Sequence, residues 1–194
     1  DLMAVRLLRQ KIPLEDRQIE TLKAEMFQLG DRLWFSREMI ADDESRLALI
    51  GQAKKWLLEY GCFSVERLFK SYCGVLRHIS TAEDSAIFLR HLGFTIDLWG
   101  KCVVCFRPPS SLGERLTATA KMIAERLEEA DGILPFHEIE QAMPHLATEA
   151  LERVRAQFLP EVHATQIGGM PCWHSTEAIH LPDQGFDHFH LVGD

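Results

Sequence analysis

The chain has 194 residues, 46% of them hydrophobic, and a formal net charge of −8 from 21 basic and 29 acidic residues. This composition predicts a globular chain with apolar material for one or two domains, and no apolar run approaches the roughly 18 residues of a membrane-spanning helix. The acidic excess argues against a nonspecific binder of polyanions. The start of the chain lacks a signal-peptide pattern and the five cysteines form no dense framework, so we expect a cytoplasmic protein.

Residues 1–43 are interpreted as an incomplete module. Apolar residues at helical spacing predict its third helix, Gly30 ends that helix, and Arg32–Phe35 form a wing strand. The helical residues are Ile19, Leu22, Met26 and Leu29. The stretch LWFSREMI, residues 33–40, reads as a strand that runs into a helix. Because this pattern starts in the middle of a module, we expect a longer parent protein whose preceding part could carry the main activity.

The predicted elements of residues 44–107 follow each other at short intervals. Apolar residues at helical spacing over residues 44–60 predict an amphipathic helix, which Gly61 ends. A very short strand at residues 62–65 comes next. It leads into a second short helix that ends near Gly74.

A third helix and a hairpin complete this stretch. Ser80 is the predicted N-cap of the helix, and Glu83 three residues later would complete a capping box. The β-prone runs FTIDLW and CVVCF, residues 94–99 and 102–106, flank a two-residue glycine turn that suits a tight hairpin.

Residues 108–182 repeat this order. Ser111 and Glu114 predict a capping box at the start of a long helix. The apolar side of that helix comprises Leu116, Ala120, Ile123 and Leu127. The elements that follow are a stub strand at Ile133–Leu134, helices at His137–Met143 and Thr148–Leu159, and a hairpin over Val162–His174. Residues 183–194 are interpreted as a tail.

A near copy of one stretch indicates internal duplication. The run CWHSTEAI, residues 172–179, matches LWFSREMI, and this places Trp34, Cys105 and Trp173 in the same last wing strand of three modules. The intervals between these three positions are 71 and 68 residues, which fits one small module per repeat. Each tryptophan is expected to fold back over the helices of its own module.

The order of helix, stub strand, helix, helix and hairpin resembles the winged helix-turn-helix family. The predicted fold class is mainly α with small antiparallel β-hairpins, arranged as tandem winged-helix modules. The modules are 1–43 (partial), 44–107 and 108–182. Their series, with the run WLLEYGCFSVERL at residues 56–68, also looks like the C-terminal array of selenocysteine-specific elongation factors. That resemblance implies binding of an mRNA hairpin.

Familiar winged helices place the third helix in the major groove and the wing on phosphates. Residues 44–107 hold nine basic and six acidic residues, so DNA or RNA binding is expected there. The predicted nucleic-acid surface comprises Lys70, Arg77, His78, Thr81, Ser85, Arg90, Trp99 and Lys101. Glu83 and Asp84 in the first turn of the third helix would repel a phosphate, so the alternative is that these are ordinary solvated charges.

Residues 108–194 hold five basic and fourteen acidic residues, which suits a basic protein partner or another domain of the parent protein. Cys102 and Cys105 form a CxxC, but strand positions three apart point to opposite faces and no second ligand pair follows. No catalytic motif is present, so no enzyme activity, cofactor or metal is expected. The leading hypothesis is a noncatalytic, regulatory nucleic-acid-binding region, and the alternative is a protein–protein assembly module of a larger complex.

Overall fold

A computed structural model describes residues 26–29 and 33–176, without the side chains of Leu33 and Trp34. The part of the predicted first helix before residue 26 and the tail at 183–194 lie outside the described residues. The chain forms two compact units. Unit 1 contains the described residues up to Leu116 together with His145–Ala150, and unit 2 contains Thr117–Pro144 and the described residues from Leu151 onward.

Unit 1 begins with a two-stranded antiparallel hairpin. The bounds here are β1 Met26–Leu29, β2 Leu33–Ser36 and α1 Arg37–Ile40. The strand that runs into a helix at residues 33–40 is therefore confirmed. The assignment of Met26 and Leu29 to a helix is wrong, because buried Phe27 and Leu29 alternate with exposed Gln28 at the period of a strand. Phe27 lies directly opposite Phe35 in the hairpin.

The next elements of unit 1 follow the predicted order. Their bounds are α2 Asp43–Glu59, β3 Cys62–Ser64, α3 Val65–Tyr72, α4 Ala82–His91, β4 Ile96–Trp99 and β5 Cys102–Phe106. The strands form an antiparallel sheet in the order β3-β5-β4. The core between sheet and helices includes Leu49, Phe63, Leu68, Phe88 and Leu89, none of which is exposed to solvent.

The N-cap of α4 differs from the prediction by one residue. Thr81, rather than Ser80, accepts a hydrogen bond from the backbone N–H of Asp84 at 3.1 Å. The carboxylate of Asp84, rather than that of Glu83, accepts the reciprocal bond from the N–H of Thr81 at 3.3 Å.

The remaining elements repeat the same order. Their bounds are α5 Leu112–Glu129, β6 Ile133–Pro135, α6 Phe136–Ala142, α7 Thr148–Phe158, β7 Val162–Ile167 and β8 Met170–Ser175. The sheet of unit 2 is antiparallel with the order β6-β8-β7. The capping box of Ser111 and Glu114 is confirmed, with bonds of 2.8 and 3.2 Å. Trp173 is 1% exposed, so it packs inside its own unit as predicted.

The prediction of a mainly α class is wrong. Over its described residues the structure is 52% helical and 23% strand, with three small antiparallel sheets, which makes it a mixed α/β fold. The predicted hairpins are present. The class differs because the stub strands β3 and β6 pair with the last hairpin strands and turn each of two hairpins into a three-stranded sheet. No helix in the described part of the chain is long and apolar enough to cross a membrane.

Candidate interaction surfaces

A concave surface of about 340 Å³ on unit 1, here called groove 1, brings two of the predicted nucleic-acid residues together. Its basic lining residues are Lys70 from α3 and Lys101 from the β4–β5 turn. Three carboxylates, those of Glu66, Glu83 and Glu149, line the same groove. The Lys70 ammonium lies 2.9 Å from the Glu66 carboxylate. With three carboxylates against two ammonium groups, groove 1 has no excess of positive charge to attract a phosphate backbone.

The segment between α3 and α4 holds two more of the predicted residues away from groove 1. Arg77 is exposed, and its backbone N–H donates to the carbonyl oxygen of Ile40 at 2.6 Å. The ring of His78 lies 5.1 Å from the ring of Phe35 in β2. Both residues therefore help to attach this segment to the N-terminal part of unit 1.

The predicted residues on α4 and β4 also have structural contacts. Thr81 uses its hydroxyl as the helix cap, and Arg90 donates to the carbonyl oxygen of Ile96 at 3.4 Å. Ser85 is fully buried, so this structure does not offer its side chain to a nucleic acid. Trp99 at the end of β4 is partly buried.

Strand β1 covers one side of α4, which is the third predicted helix of residues 44–107. The ring of Phe27 lies 5.4 Å from the ring of Phe88 and 4.8 Å from that of His91. Within α4 only Glu83 and Arg90 remain exposed. The accessible face of this helix therefore presents one acidic and one basic side chain.

Unit 2 carries a concave surface of about 670 Å³, here called groove 2, next to a series of exposed acidic residues. It lies between the end of α5 and α6, and its lining includes Leu134, His137 and Glu138. Arg126, the basic residue of the lining, lies 3.3 Å from the carboxylate of Glu129. The exposed acids at the end of α5 are Glu125, Glu128, Glu129 and Asp131. The lining therefore holds two carboxylates, those of Glu129 and Glu138, and one guanidinium beside apolar Leu134, and the other exposed acids follow along the chain at the end of α5.

A charged pair on α7 holds the hairpin of unit 2, a contact that the sequence did not predict. The indole N–H of Trp173 donates to Glu152 Oε1 at 3.2 Å. Arg155 donates to Glu152 Oε2 at 3.0 Å and to the carbonyl oxygen of Val162 at 3.1 Å. These two charged residues of α7 are therefore occupied in fixing strands β7 and β8.

A second cluster that sequence reasoning missed ties residues 145–147 into unit 1. The backbone N–H of Ser64 donates to the carbonyl oxygen of His145 at 3.0 Å, and Ser64 Oγ accepts from the N–H of Ala147 at 2.6 Å. The rings of Tyr60 and His145 stack at 3.8 Å with an angle of 8°. A separation of 83 residues between Ser64 and Ala147 leaves no local sequence signal for this contact.

His145 is the most perturbed histidine among those the structure describes. Its side chain is fully buried, and neither ring nitrogen has a hydrogen-bond partner among the described residues. Burial lowers the pKa of His145 from the ordinary value of 6.5 to about 3. The imidazole is therefore neutral throughout the physiological range.

The CxxC motif lies on β5. Cys105 is buried and Cys102 is partly buried. Burial, with a smaller contribution from Cys62, raises the pKa of Cys105 to about 12. This thiol is protonated at neutral pH, and a protonated thiol is a poor nucleophile and a poor metal ligand.

No protein-family model matches the chain, and no curated protein matches it. The two grooves and the exposed helix faces are therefore the features from which a function is inferred.

Proposed function

We propose that the chain is a noncatalytic pair of winged-helix modules that assembles with a protein partner, and that groove 2 receives a basic segment of that partner. The observation that carries this proposal is the state of α4. Strand β1 packs against α4, and within this helix only Glu83 and Arg90 are exposed. A helix that reads base edges needs several exposed polar or basic side chains, and α4 does not have them.

Charge supports the choice of groove 2 as the docking surface. The exposed acids at the end of α5 lie beside a lining that contains apolar Leu134. A lysine or arginine of the partner can bury its aliphatic stem on that floor and keep its charged end near Glu129 and Glu138. Exposed charges of this kind mainly accelerate association and select a basic partner, while the apolar contact supplies affinity.

Nucleic-acid binding by residues 44–107 is the second candidate. One observation favours it: Lys70 and Lys101, which are far apart in sequence, line the same groove. The wing lysine and a helix lysine would then contact the same phosphate strand. The carboxylates in that groove oppose this arrangement, which is why it takes second place.

Two labelled probes distinguish the candidates when they are titrated into the full chain and followed by fluorescence anisotropy. The first is a short peptide that alternates arginine and leucine, and the second is a set of duplex DNA and hairpin RNA oligonucleotides. The assembly proposal expects saturable binding of the peptide, weakened by Glu129→Lys with Glu138→Lys. The matched control, Lys70→Glu with Lys101→Glu, leaves peptide binding unchanged.

The opposite outcome is equally definite. If the peptide does not bind, or if it binds with the same affinity after both glutamates are reversed, the assembly proposal at groove 2 is wrong. A low-salt mobility shift that disappears in Lys70→Glu with Lys101→Glu, while Glu128→Lys leaves it intact, would establish the second candidate in its place.

A further inference from the structure

The outer face of α2 carries large apolar side chains that the fold does not bury. Leu47 is 68% exposed and Leu58 is 76% exposed. The two leucines are eleven residues apart, about three helical turns, so they lie on the same side of the helix. Buried Leu49, Ala53 and Trp56 already supply the face that packs into unit 1. The outer leucines therefore contribute nothing to the core.

Gly51 lies between the two leucines on the same face. It is in the interior of a 17-residue helix, and apart from its chain neighbours and the adjacent helix backbone, no heavy atom lies within 4 Å of the position that a Cβ would take. Glycine destabilises a helix interior relative to alanine, and here no contact within the described chain requires it. A glycine between apolar residues lets the backbone of another helix approach closely, which is the physical use that remains for it.

The charges on this face specify the helix that can cover it. Glu44 lies near the first turn, and Lys54 and Lys55 lie beyond the middle of the helix. All three are exposed, and none forms an ion pair with a residue that the structure describes. A covering helix must carry a leucine on each side of its centre, a basic group facing Glu44 and an acidic group facing the lysines. The same face of α2 from a second copy of the chain, in antiparallel orientation, meets these conditions.

We propose that the α2 faces of two copies of this chain pack antiparallel across a two-fold axis at Gly51, forming a homodimer. With the crossing at Gly51, Leu47 of one copy lies within about one helical turn of Leu58 of the other, and Glu44 lies equally close to Lys55 of the other. A parallel pair would instead place like charges together, which destabilises a helix pair. A two-fold interface is self-complementary, as these residues require.

The contact is small, so the dimer responds to concentration. A helix of 17 residues is about 25 Å long, and one such helix pair covers less area than the roughly 1,600 Å² of a standard stable interface. The chain therefore exchanges between monomer and dimer. This association uses unit 1 alone and does not depend on the assignment of groove 2.

Sedimentation velocity of the full chain over a wide range of concentrations tests the dimer. Leu47→Lys with Leu58→Lys raises the dimer dissociation constant at least about tenfold, because the apolar contact between Leu47 and Leu58 is lost at both ends of the pair. Leu98→Lys is the matched control, since Leu98 is 66% exposed on β4, outside this face. It leaves the dissociation constant unchanged, and circular dichroism verifies that all variants keep their helix content.

Charge exchange tests the antiparallel arrangement. Glu44→Lys alone weakens the dimer, and so does Lys54→Glu with Lys55→Glu, because each leaves like charges facing each other. The triple variant, with all three charges exchanged, restores the dimer because every pair becomes opposite again. The proposal is overturned if the native chain is monomeric at every concentration, if the leucine variant dimerises as strongly as the native chain, or if the triple variant does not recover.

Discussion

Lowering the pH should reduce the free energy of unfolding, because His145 is buried in its neutral form. The ring is fully buried against Tyr60, and its two nitrogens have no partner among the described residues. A proton on this imidazole would place an unpaired charge in the protein interior, which is strongly unfavourable. Burial accordingly lowers the pKa of the folded group to about 3, while the unfolded chain keeps the ordinary value of 6.5.

The sign and size of the effect follow from these two values. Above pH 6.5 the group is neutral in both states and contributes no pH dependence. Below pH 6.5 the unfolded chain takes up a proton that the folded chain excludes, so the free energy of unfolding falls by up to about 1.4 kcal/mol per pH unit until the pH approaches 3. Between pH 7 and pH 5 this amounts to about 2 kcal/mol.

Urea unfolding of the native chain and of His145→Phe at several pH values between 7 and 5 measures this contribution. Phenylalanine keeps an aromatic ring against Tyr60 and has no titrating group. The contributions of all other ionisable residues cancel in the difference between the two proteins. The difference should grow in favour of the variant by about 2 kcal/mol as the pH falls to 5. If the two stability curves run parallel, His145 is not excluded from protonation and the argument from burial is wrong.

Substitutions at four other positions test further features of the fold by urea or thermal unfolding. Trp173→Ala should cost about 3–5 kcal/mol because the indole is 1% exposed, and a Trp173→Phe variant that loses as much would show that the hydrogen bond to α7, not packing, dominates. Ser64→Ala leaves a buried backbone N–H unpaired and should cost about 1–3 kcal/mol; an unchanged midpoint would mean that water replaces the hydroxyl. Gly51→Ala should stabilise the monomer by about 0.5–1 kcal/mol, because glycine is unfavourable inside a helix. Gly61→Ala should destabilise it, because Gly61 has φ 78° and Arg115 Cδ would lie 2.6 Å from the added Cβ. A change of the same sign in both variants would refute this difference between the two glycines.

The sequence predicted the elements whose signals are local. Helical periodicity, glycine stops and the hairpin turns located α2 to α7 and the later strands to within a residue or two. The errors arose where two local signals compete. Thr81 and Ser80 are both good caps, and the structure has Thr81 in that place, paired with Asp84 in a capping box. The apolar residues at 26 and 29 fit a helical spacing, but pairing with β2 makes them part of a strand.

The candidate surfaces were less predictable because they depend on distant residues. A list of basic side chains in residues 44–107 gave no indication that Ser85 is buried or that β1 covers α4. The carboxylate of Glu149 lies in groove 1 only because residues 145–150 belong to unit 1. Apolar residues at helical spacing predicted α2 as an amphipathic helix, but only the structure shows that the fold leaves Leu47 and Leu58 unburied.

Unit 1 is discontinuous along the chain, and this affects how the protein can be made and cut. Synthesis has to proceed past Ala147 before Ser64 and Tyr60 acquire their partners, so a nascent chain that stops in the segment after β5 retains an unfinished surface. A truncation at residues 107–110, which separates the two repeats, would remove residues 145–150 from unit 1. A loss of binding in such truncated proteins would then report damaged folding of the first repeat, not the removal of a contact made by the second.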